Sequence, residues 1–118
     1  MLVVDDDPDI REALRDTLTT EGYAIAEAAD GQAALDYLHA HPAPGMILLD
    51  WNMAPMNGGQ LMIELAKEPG LAVIPTVLLT ADPRAPTRAE GNAPVECLRK
   101  PIRLDDLVAV VQRYCGAK

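Results

Sequence analysis

The fold is decided by a stretch near the start of the chain, LVVDDDPDIRE at residues 2–12. Leu2-Val3-Val4 is a continuous apolar run, which predicts a short buried strand. Asp7-Pro8 follows directly and predicts a helix start, with Asp7 as the N-cap and Pro8 at the first helical position. One helical face then continues through Ile10, Leu14, Thr17 and Leu18 until Gly22 ends the helix. The stretch is therefore a strand followed at once by a helix.

The same alternation continues along the rest of the chain. Apolar runs predict strands at 23–28, 45–50, 73–80 and 95–98, and helices are expected to begin at Asp30-Gly31, at Asn57 and at Leu104. The helix from Asn57 is expected to end at Pro69-Gly70. Residues 82–94 contain three prolines and almost no large apolar residue, so any helix there must be short or irregular. Five strands alternating with helices predict an α/β fold, a parallel sheet covered by helices on both faces.

Composition limits the function classes. The 118 residues predict a single domain over 1–118. The formal net charge of −8 disfavours binding to nucleic acid or to an anionic membrane. The sequence contains no run of about 18 apolar residues, so no membrane span is predicted. The two cysteines form no disulfide framework or C-x-x-C pattern, which is compatible with the cytoplasm, the expected location.

Reactive side chains follow the ends of several predicted strands. Asp5-Asp6 ends the first, Asp50 the third and Thr80 the fourth, and Lys100 comes after the fifth. Carboxyl ends of parallel strands share one edge, where doubly wound sheets bind their ligands. Clustered carboxylates repel unless a cation lies among them, and hard oxygen ligands suit Mg²⁺. A lysine and a hydroxyl nearby can hold a phosphoryl group, so this edge predicts magnesium-assisted phosphoryl transfer.

Each of these residues also has a plainer interpretation. An acidic run before a helix commonly caps it and complements its dipole, and Asp7 is assigned that role. Asp50 alone would be an ordinary turn residue, and Thr80 and Lys100 alone would be ordinary surface types. Only their combination at successive strand ends favours chemistry.

With these blocks in place, the chain resembles the receiver domain of bacterial two-component response regulators. The matching blocks are LVVDDDPDIRE at 2–12, MILLDWNM at 46–53, VLLTA at 77–81 and LRKP at 98–101. They cover nearly the whole chain in the family's order and spacing. The resemblance implies a flavodoxin-like (βα)5 doubly wound sheet with strand order 2-1-3-4-5, with residues 82–94 standing in for the fourth helix as an irregular segment.

The resemblance also implies a role for each site residue. Asp50 matches the phosphoacceptor that takes a phosphoryl group from a histidine kinase's phosphohistidine. Asp5 and Asp6 match the acidic pair that holds Mg²⁺ together with Asp50, and Asn52 matches the position whose backbone carbonyl completes the metal site. Thr80 matches the switch hydroxyl. Lys100 matches the lysine that pairs with acceptor and phosphate, and it precedes a proline that is usually cis.

Two departures from the family pattern concern the readout. The proline usually found four residues after the acceptor is displaced to Pro55 in Met53-Ala54-Pro55-Met56. The switch aromatic three residues before the lysine is replaced by Cys97. A thiol lacks an aromatic ring's area, so the usual coupling between Thr80 and that position is expected to be missing or altered.

The implied function is a signalling receiver rather than an enzyme with separate substrates, because phosphoryl transfer and hydrolysis concern Asp50 only. The expected partners are a sensor histidine kinase or phosphotransfer protein and a downstream protein target. One alternative is a pseudo-receiver that binds proteins without phosphorylation. A second is an aspartate-nucleophile phosphatase of the haloacid-dehalogenase type, which the order of the motifs disfavours.

Overall fold

The computed structural model describes residues 1–51, 58–81 and 96–115. Its five strands form one parallel sheet in the order β2-β1-β3-β4-β5. In chain order the elements are β1 (Leu2–Val4), α1 (Pro8–Thr20), β2 (Ala26–Ala28), α2 (Gly31–Ala40), β3 (Ile47–Asp50), α3 (Gly58–Ala66), α4 (Pro69–Ala72), β4 (Thr76–Thr80), β5 (Glu96–Arg99) and α5 (Leu104–Cys115). The flavodoxin-like α/β fold and strand order implied by the resemblance are confirmed.

The sheet separates two apolar layers, because alternate side chains of each strand point to opposite faces. On one face, Leu2, Val4, Ile47 and Leu49 pack with the buried sides of α2, α3 and α4. On the other face, Val3, Leu48 and Leu79 pack with α1 and α5. The central strands β1, β3 and β4 are buried throughout, as expected of parallel strands covered on both sides.

Local signals act at the helix ends as the sequence indicates. The Asp7 carboxylate accepts hydrogen bonds from the N–H groups of Asp9 and Ile10, and Pro8 is the first helical residue. Gly22 follows α1 with a φ of 97°, a left-handed conformation that favours glycine. The Asp30 carboxylate likewise accepts from the Ala33 N–H at the start of α2.

The predicted end of the third helix is wrong. Helix α3 stops at Ala66, and Pro69-Gly70 lies inside a separate four-residue helix, α4. The N–H groups of Lys67 and Glu68 donate to carbonyls three residues earlier, which tightens and ends α3. Pro69 has no N–H to continue that ladder, but it suits the first turn of a new helix.

Three strands are shorter than predicted, and the smallest change is in β3, which begins at Ile47 rather than at Gly45. Strand β2 begins at Ala26 rather than at Tyr23, because the Tyr23 N–H donates to the Leu18 carbonyl at the end of α1. Strand β4 begins at Thr76 rather than at Val73, which caps α4 and is exposed. The Asn57 cap and the irregular fourth helix predicted over 82–94 lie outside the described residues. Within the described ranges, no helix has the length and apolarity needed to cross a membrane.

Candidate functional site at the carboxyl edge of the sheet

Three carboxylates meet at the point where the chain order of the sheet reverses. Val4 pairs with Leu49 across β1 and β3, so the next residues, Asp5 and Asp50, emerge side by side. Oxygen atoms of Asp5, Asp6 and Asp50 lie within 4.8 Å of one another. Asp5 is 1% exposed and Asp50 is 2% exposed, whereas Asp6 faces solvent. We call these three residues the acidic cluster.

Asp5 is held in a position that is unfavourable for an isolated carboxylate. Its Oδ1 accepts a hydrogen bond from the Asp7 N–H at 2.9 Å, while its buried Oδ2 has no hydrogen-bond partner among the described residues. Burial raises the pKa of Asp5, the Asp7 N–H opposes that rise, and the nearby Asp50 carboxylate adds to it. A buried oxygen without a donor, among like charges, fits a cation ligand. The donor set, hard carboxylate oxygens only, suits a divalent ion such as Mg²⁺ or Ca²⁺.

Lys100 contacts the acidic cluster from the other side of β3. Its ammonium Nζ donates to Asp50 Oδ1 at 3.0 Å. The Lys100 N–H donates to the Thr80 carbonyl at 2.8 Å, so the hydrogen bonds between β4 and β5 fix the position of the lysine backbone. The Lys100–Pro101 peptide bond is cis, as the resemblance implies.

Thr80 ends β4 at the same edge and is fully buried. Leu79 pairs with Asp50 in the sheet, so Thr80 lies one residue beyond the candidate acceptor on the neighbouring strand. The structure therefore brings together the acidic cluster and Lys100, and it places Thr80 on the adjoining strand end. The position predicted to supply a metal-binding carbonyl, Asn52, lies outside the described residues, as does Pro55.

The two interpretations of the acidic run apply to different residues. Asp7 caps α1, as the plainer interpretation predicted. Asp5, two residues earlier, continues from β1 and donates its N–H to the Ala28 carbonyl of β2. The acidic run therefore begins with Asp5, which still bonds to the sheet, and ends with Asp7, which caps the helix. This geometry places the Asp5 carboxylate next to Asp50.

Cys97 occupies the strand position where the family usually has an aromatic residue. It pairs with Leu78 across β4 and β5 and packs, half-buried, against the apolar layer that includes α2 and α3. Burial raises the pKa of its thiol, so it packs as a small apolar residue.

Sequence reasoning missed Arg11. Its guanidinium Nη1 donates to the Asp5 carbonyl at 2.7 Å, and its Nε lies 3.4 Å from an oxygen of Glu27. The sequence places Arg11 in the first turn of α1, close to Asp5. Its contact with Glu27 could not be predicted, because it depends on β2 lying beside β1.

Comparison with known proteins agrees with this geometry. The family model described as "Response regulator receiver domain" matches residues 1–112. An uncharacterised 14.6 kDa protein of Leptolyngbya boryana is 34% identical over 99% of this chain and 90% of its own length. The phosphate regulon transcriptional regulatory protein PhoB of Escherichia coli is 33% identical over 95% of this chain, which spans about half (49%) of that protein.

A solved structure shows the same architecture. The chemotaxis protein CheY4 of Vibrio cholerae superposes with a TM-score of 0.85 at 28% identity, covering 96% of this chain and 95% of its own. The match of the family model over nearly the whole chain, together with the shared fold, shows that this chain belongs to the response regulator receiver domain family of two-component signalling systems.

Proposed function

We propose that this receiver domain is a magnesium-dependent phosphoacceptor switch in which Asp50 takes the phosphoryl group. The observation that carries the proposal is the contact of Lys100 Nζ with Asp50 Oδ1 at 3.0 Å, beside two further carboxylates within 4.8 Å. A cation-ligating set and a phosphate-pairing lysine thus share one buried carboxylate. Folding stability does not explain why three carboxylates lie at one point, because their mutual repulsion opposes folding.

The acidic cluster is the proposed holder of the metal, with the backbone carbonyl of Asn52 as a further ligand. Mg²⁺ is favoured over transition metals because every side-chain donor is a hard oxygen. When bound, the ion supplies charge neutralisation for the acceptor and for the phosphoryl oxygens. Asp5 Oδ2, which has no partner within the part of the chain that the structure describes, supports this assignment, since a bound cation would give that oxygen a partner.

In the proposed reaction, a carboxylate oxygen of Asp50 attacks the phosphorus of a phosphohistidine. A P–O bond forms, the P–N bond breaks, and the imidazole nitrogen leaves with the electron pair and takes up a proton. Asp50 needs no general base because a carboxylate is already ionised at neutral pH. Lys100 then pairs with the new phosphoryl group, and the Thr80 hydroxyl donates a hydrogen bond to it. Hydrolysis of the acyl phosphate by water returns Asp50 to its starting state.

The proposed partners are a sensor histidine kinase or phosphotransfer protein as donor and a downstream protein as target, in the cytoplasm. Direct contact with nucleic acid or membrane is disfavoured by the charge of −8. Thr80 lies on β4 and Cys97 on β5, so movement of the threonine has no aromatic partner at that position. We expect the change to reach the output surface through backbone shifts rather than through an aromatic rotamer.

The test is phosphorylation by a small donor, acetyl phosphate, followed by intact-mass spectrometry. With Mg²⁺ the domain should gain about 80 Da, one phosphoryl group; with EDTA it should gain none. The Asp50→Asn variant should remain unmodified, and the matched variant Asp16→Asn, which changes an exposed aspartate on α1, should behave like wild type. An equal gain by Asp50→Asn would contradict the proposal.

The two alternatives give different results in the same assay. A pseudo-receiver would bind proteins but show no mass gain under any condition. A haloacid-dehalogenase-type phosphatase would release phosphate from small phosphate esters with multiple turnovers, whereas we expect none.

A further inference from the structure

Arg11 connects the acidic cluster to the edge of the sheet. Its Nη1 donates to the Asp5 carbonyl at 2.7 Å, and its Nε lies 3.4 Å from Glu27 Oε1. The side chain is 19% exposed, so this double contact is mostly shielded from water. The guanidinium therefore joins the first residue of the acidic run to the neighbouring edge strand.

Glu27 is directed to this place by the pleat of β2. Its neighbours Ala26 and Ala28 pack into the layer on the α2 side, so Glu27 points to the α1 side. There its second oxygen, Oε2, accepts a hydrogen bond from Arg15 Nη1 at 2.9 Å. Arg11 and Arg15 are four residues apart and lie on one face of α1. We call Arg11, Arg15 and Glu27 the α1 network.

We propose that Arg11 is a positioning residue, which holds the Asp5 backbone so that its buried carboxylate faces Asp50, and that Glu27 fixes the Arg11 guanidinium. This inference rests on the proposed function, because it assumes that the acidic cluster binds Mg²⁺. The Asp7 N–H contact with Asp5 Oδ1 restrains the side chain, and the Arg11 contact with the Asp5 carbonyl restrains the backbone. Together they define the direction of Asp5 Oδ2.

Loss of the Arg11 charge and loss of its positioning contact should change Mg²⁺ affinity in opposite directions. Arg11 is a cation beside a cation site, so removing its charge should strengthen Mg²⁺ binding if only Coulomb energy matters. If Arg11 positions Asp5, removing it should weaken Mg²⁺ binding despite the more favourable field. Substitution of outer residues that orient a metal ligand commonly costs 10–100-fold in affinity.

The experiment compares Arg11→Gln with Arg15→Gln in the full chain. Both variants lose one positive charge from the α1 network, but only Arg11 contacts Asp5. Affinity for Mg²⁺ alone is measured by fluorescence of Trp51, the single tryptophan, and independently by the rise in Tm with Mg²⁺. We expect about tenfold weaker binding for Arg11→Gln and unchanged or slightly tighter binding for Arg15→Gln. Unchanged or tighter binding by Arg11→Gln would overturn the inference.

Arg11→Lys keeps the charge but cannot span both partners with one ammonium, so its affinity should fall between wild type and Arg11→Gln. Equality with wild type would contradict the proposal, because it would show that the two-point contact of the guanidinium is not needed. In an Asp5→Asn background, Arg11→Gln should change affinity less than twofold, because the residue acts through Asp5. A variant with lower Tm in EDTA but full Mg²⁺ affinity would assign Arg11 to folding only. Absence of Mg²⁺ binding in wild type would instead refute the proposed function.

Discussion

The acidic cluster and the α1 network lie on either side of the Asp5 backbone, and they treat charge in opposite ways. In the α1 network each guanidinium lies against a carboxylate, so opposite charges are paired. Arg15 also contacts acidic residues outside the network, and its distances to Glu27, Asp16 and Glu12 are 2.9, 3.4 and 3.9 Å. In the acidic cluster three carboxylates crowd together, two of them buried. The first arrangement satisfies its own charges, whereas the second sets one ammonium, that of Lys100, against three carboxylates, as expected of a cation site.

The largest expected effect is loss of the lysine that contacts the acidic cluster. Lys100→Met removes the cation from Asp50 while keeping the length of the side chain. Asp50 is 2% exposed, so removing the lysine charge that offsets it should lower the free energy of unfolding in EDTA by about 3 kcal/mol. Urea denaturation measures this. The matched change Arg15→Met in the α1 network, where the side chain is 41% exposed, should have a far smaller effect, since exposed pairs contribute little. Equal losses would erase the contrast between the two regions.

Magnesium should stabilise the acidic cluster and leave the α1 network unaffected. At a Mg²⁺ concentration of 100 times Kd, a single site adds about 2.7 kcal/mol to the free energy of unfolding. Thermal melts in MgCl2 should therefore show a Tm above that in EDTA. NaCl at matched ionic strength is the control, because it screens surface pairs without filling the site. A Tm gain that NaCl reproduces would argue against a specific ion.

Replacing one carboxylate should stabilise the metal-free protein. Asp5→Asn keeps the oxygen that accepts the Asp7 N–H, but it removes a buried charge whose second oxygen has no partner in residues 1–51, 58–81 and 96–115. We expect the free energy of unfolding in EDTA to rise by about 1–2 kcal/mol, within the range for an unsatisfied buried group. The same variant should lose most of the Mg²⁺-dependent gain in Tm. Asp36→Asn, at an exposed position on α2, is the control; a less stable Asp5→Asn would contradict the view that this site opposes folding.

The parts of the molecule that could be predicted from sequence are those that local patterns determine. Strands β1 and β3 and the caps at Asp7 and Asp30 follow from local patterns, and strand ends placed Asp5 near Asp50 because parallel strands share an edge. The order of the strands came from the family resemblance rather than from periodicity.

What remained unpredicted depends on contacts between distant segments. Arg11 reads as an exposed helix residue until β2 is known to lie beside β1 with Glu27 facing α1. Pro69-Gly70 could equally mark the end of one helix or the start of another, and in the structure it starts α4 after α3 has already ended at Ala66. Local propensity does not decide either case, because tertiary packing selects between states of similar local free energy.

The smallest expected effect concerns a third charged contact, far from the acidic cluster. His39, in the last turn of α2, lies 2.8 Å from a carboxylate oxygen of Glu68. It joins α2 to the start of α4. The Glu68 carboxylate raises the pKa of His39 above its usual value. Because both side chains are about half exposed, at 53% and 45%, solvent screens the pair and its effect on stability should be small.

The sign of the pH dependence follows from that raised pKa. A histidine that binds its proton more tightly when folded stabilises the fold fully below its unfolded pKa of about 6.5. That contribution disappears as pH rises through the higher folded value. The difference in Tm between wild type and His39→Gln should therefore be greatest near pH 6 and shrink toward pH 8. In a Glu68→Gln background the same substitution should show no such trend, because the carboxylate that raises the pKa is gone. A difference that grows with pH would contradict the assignment, and one that persists without Glu68 would point to the dipole of α2 as its source.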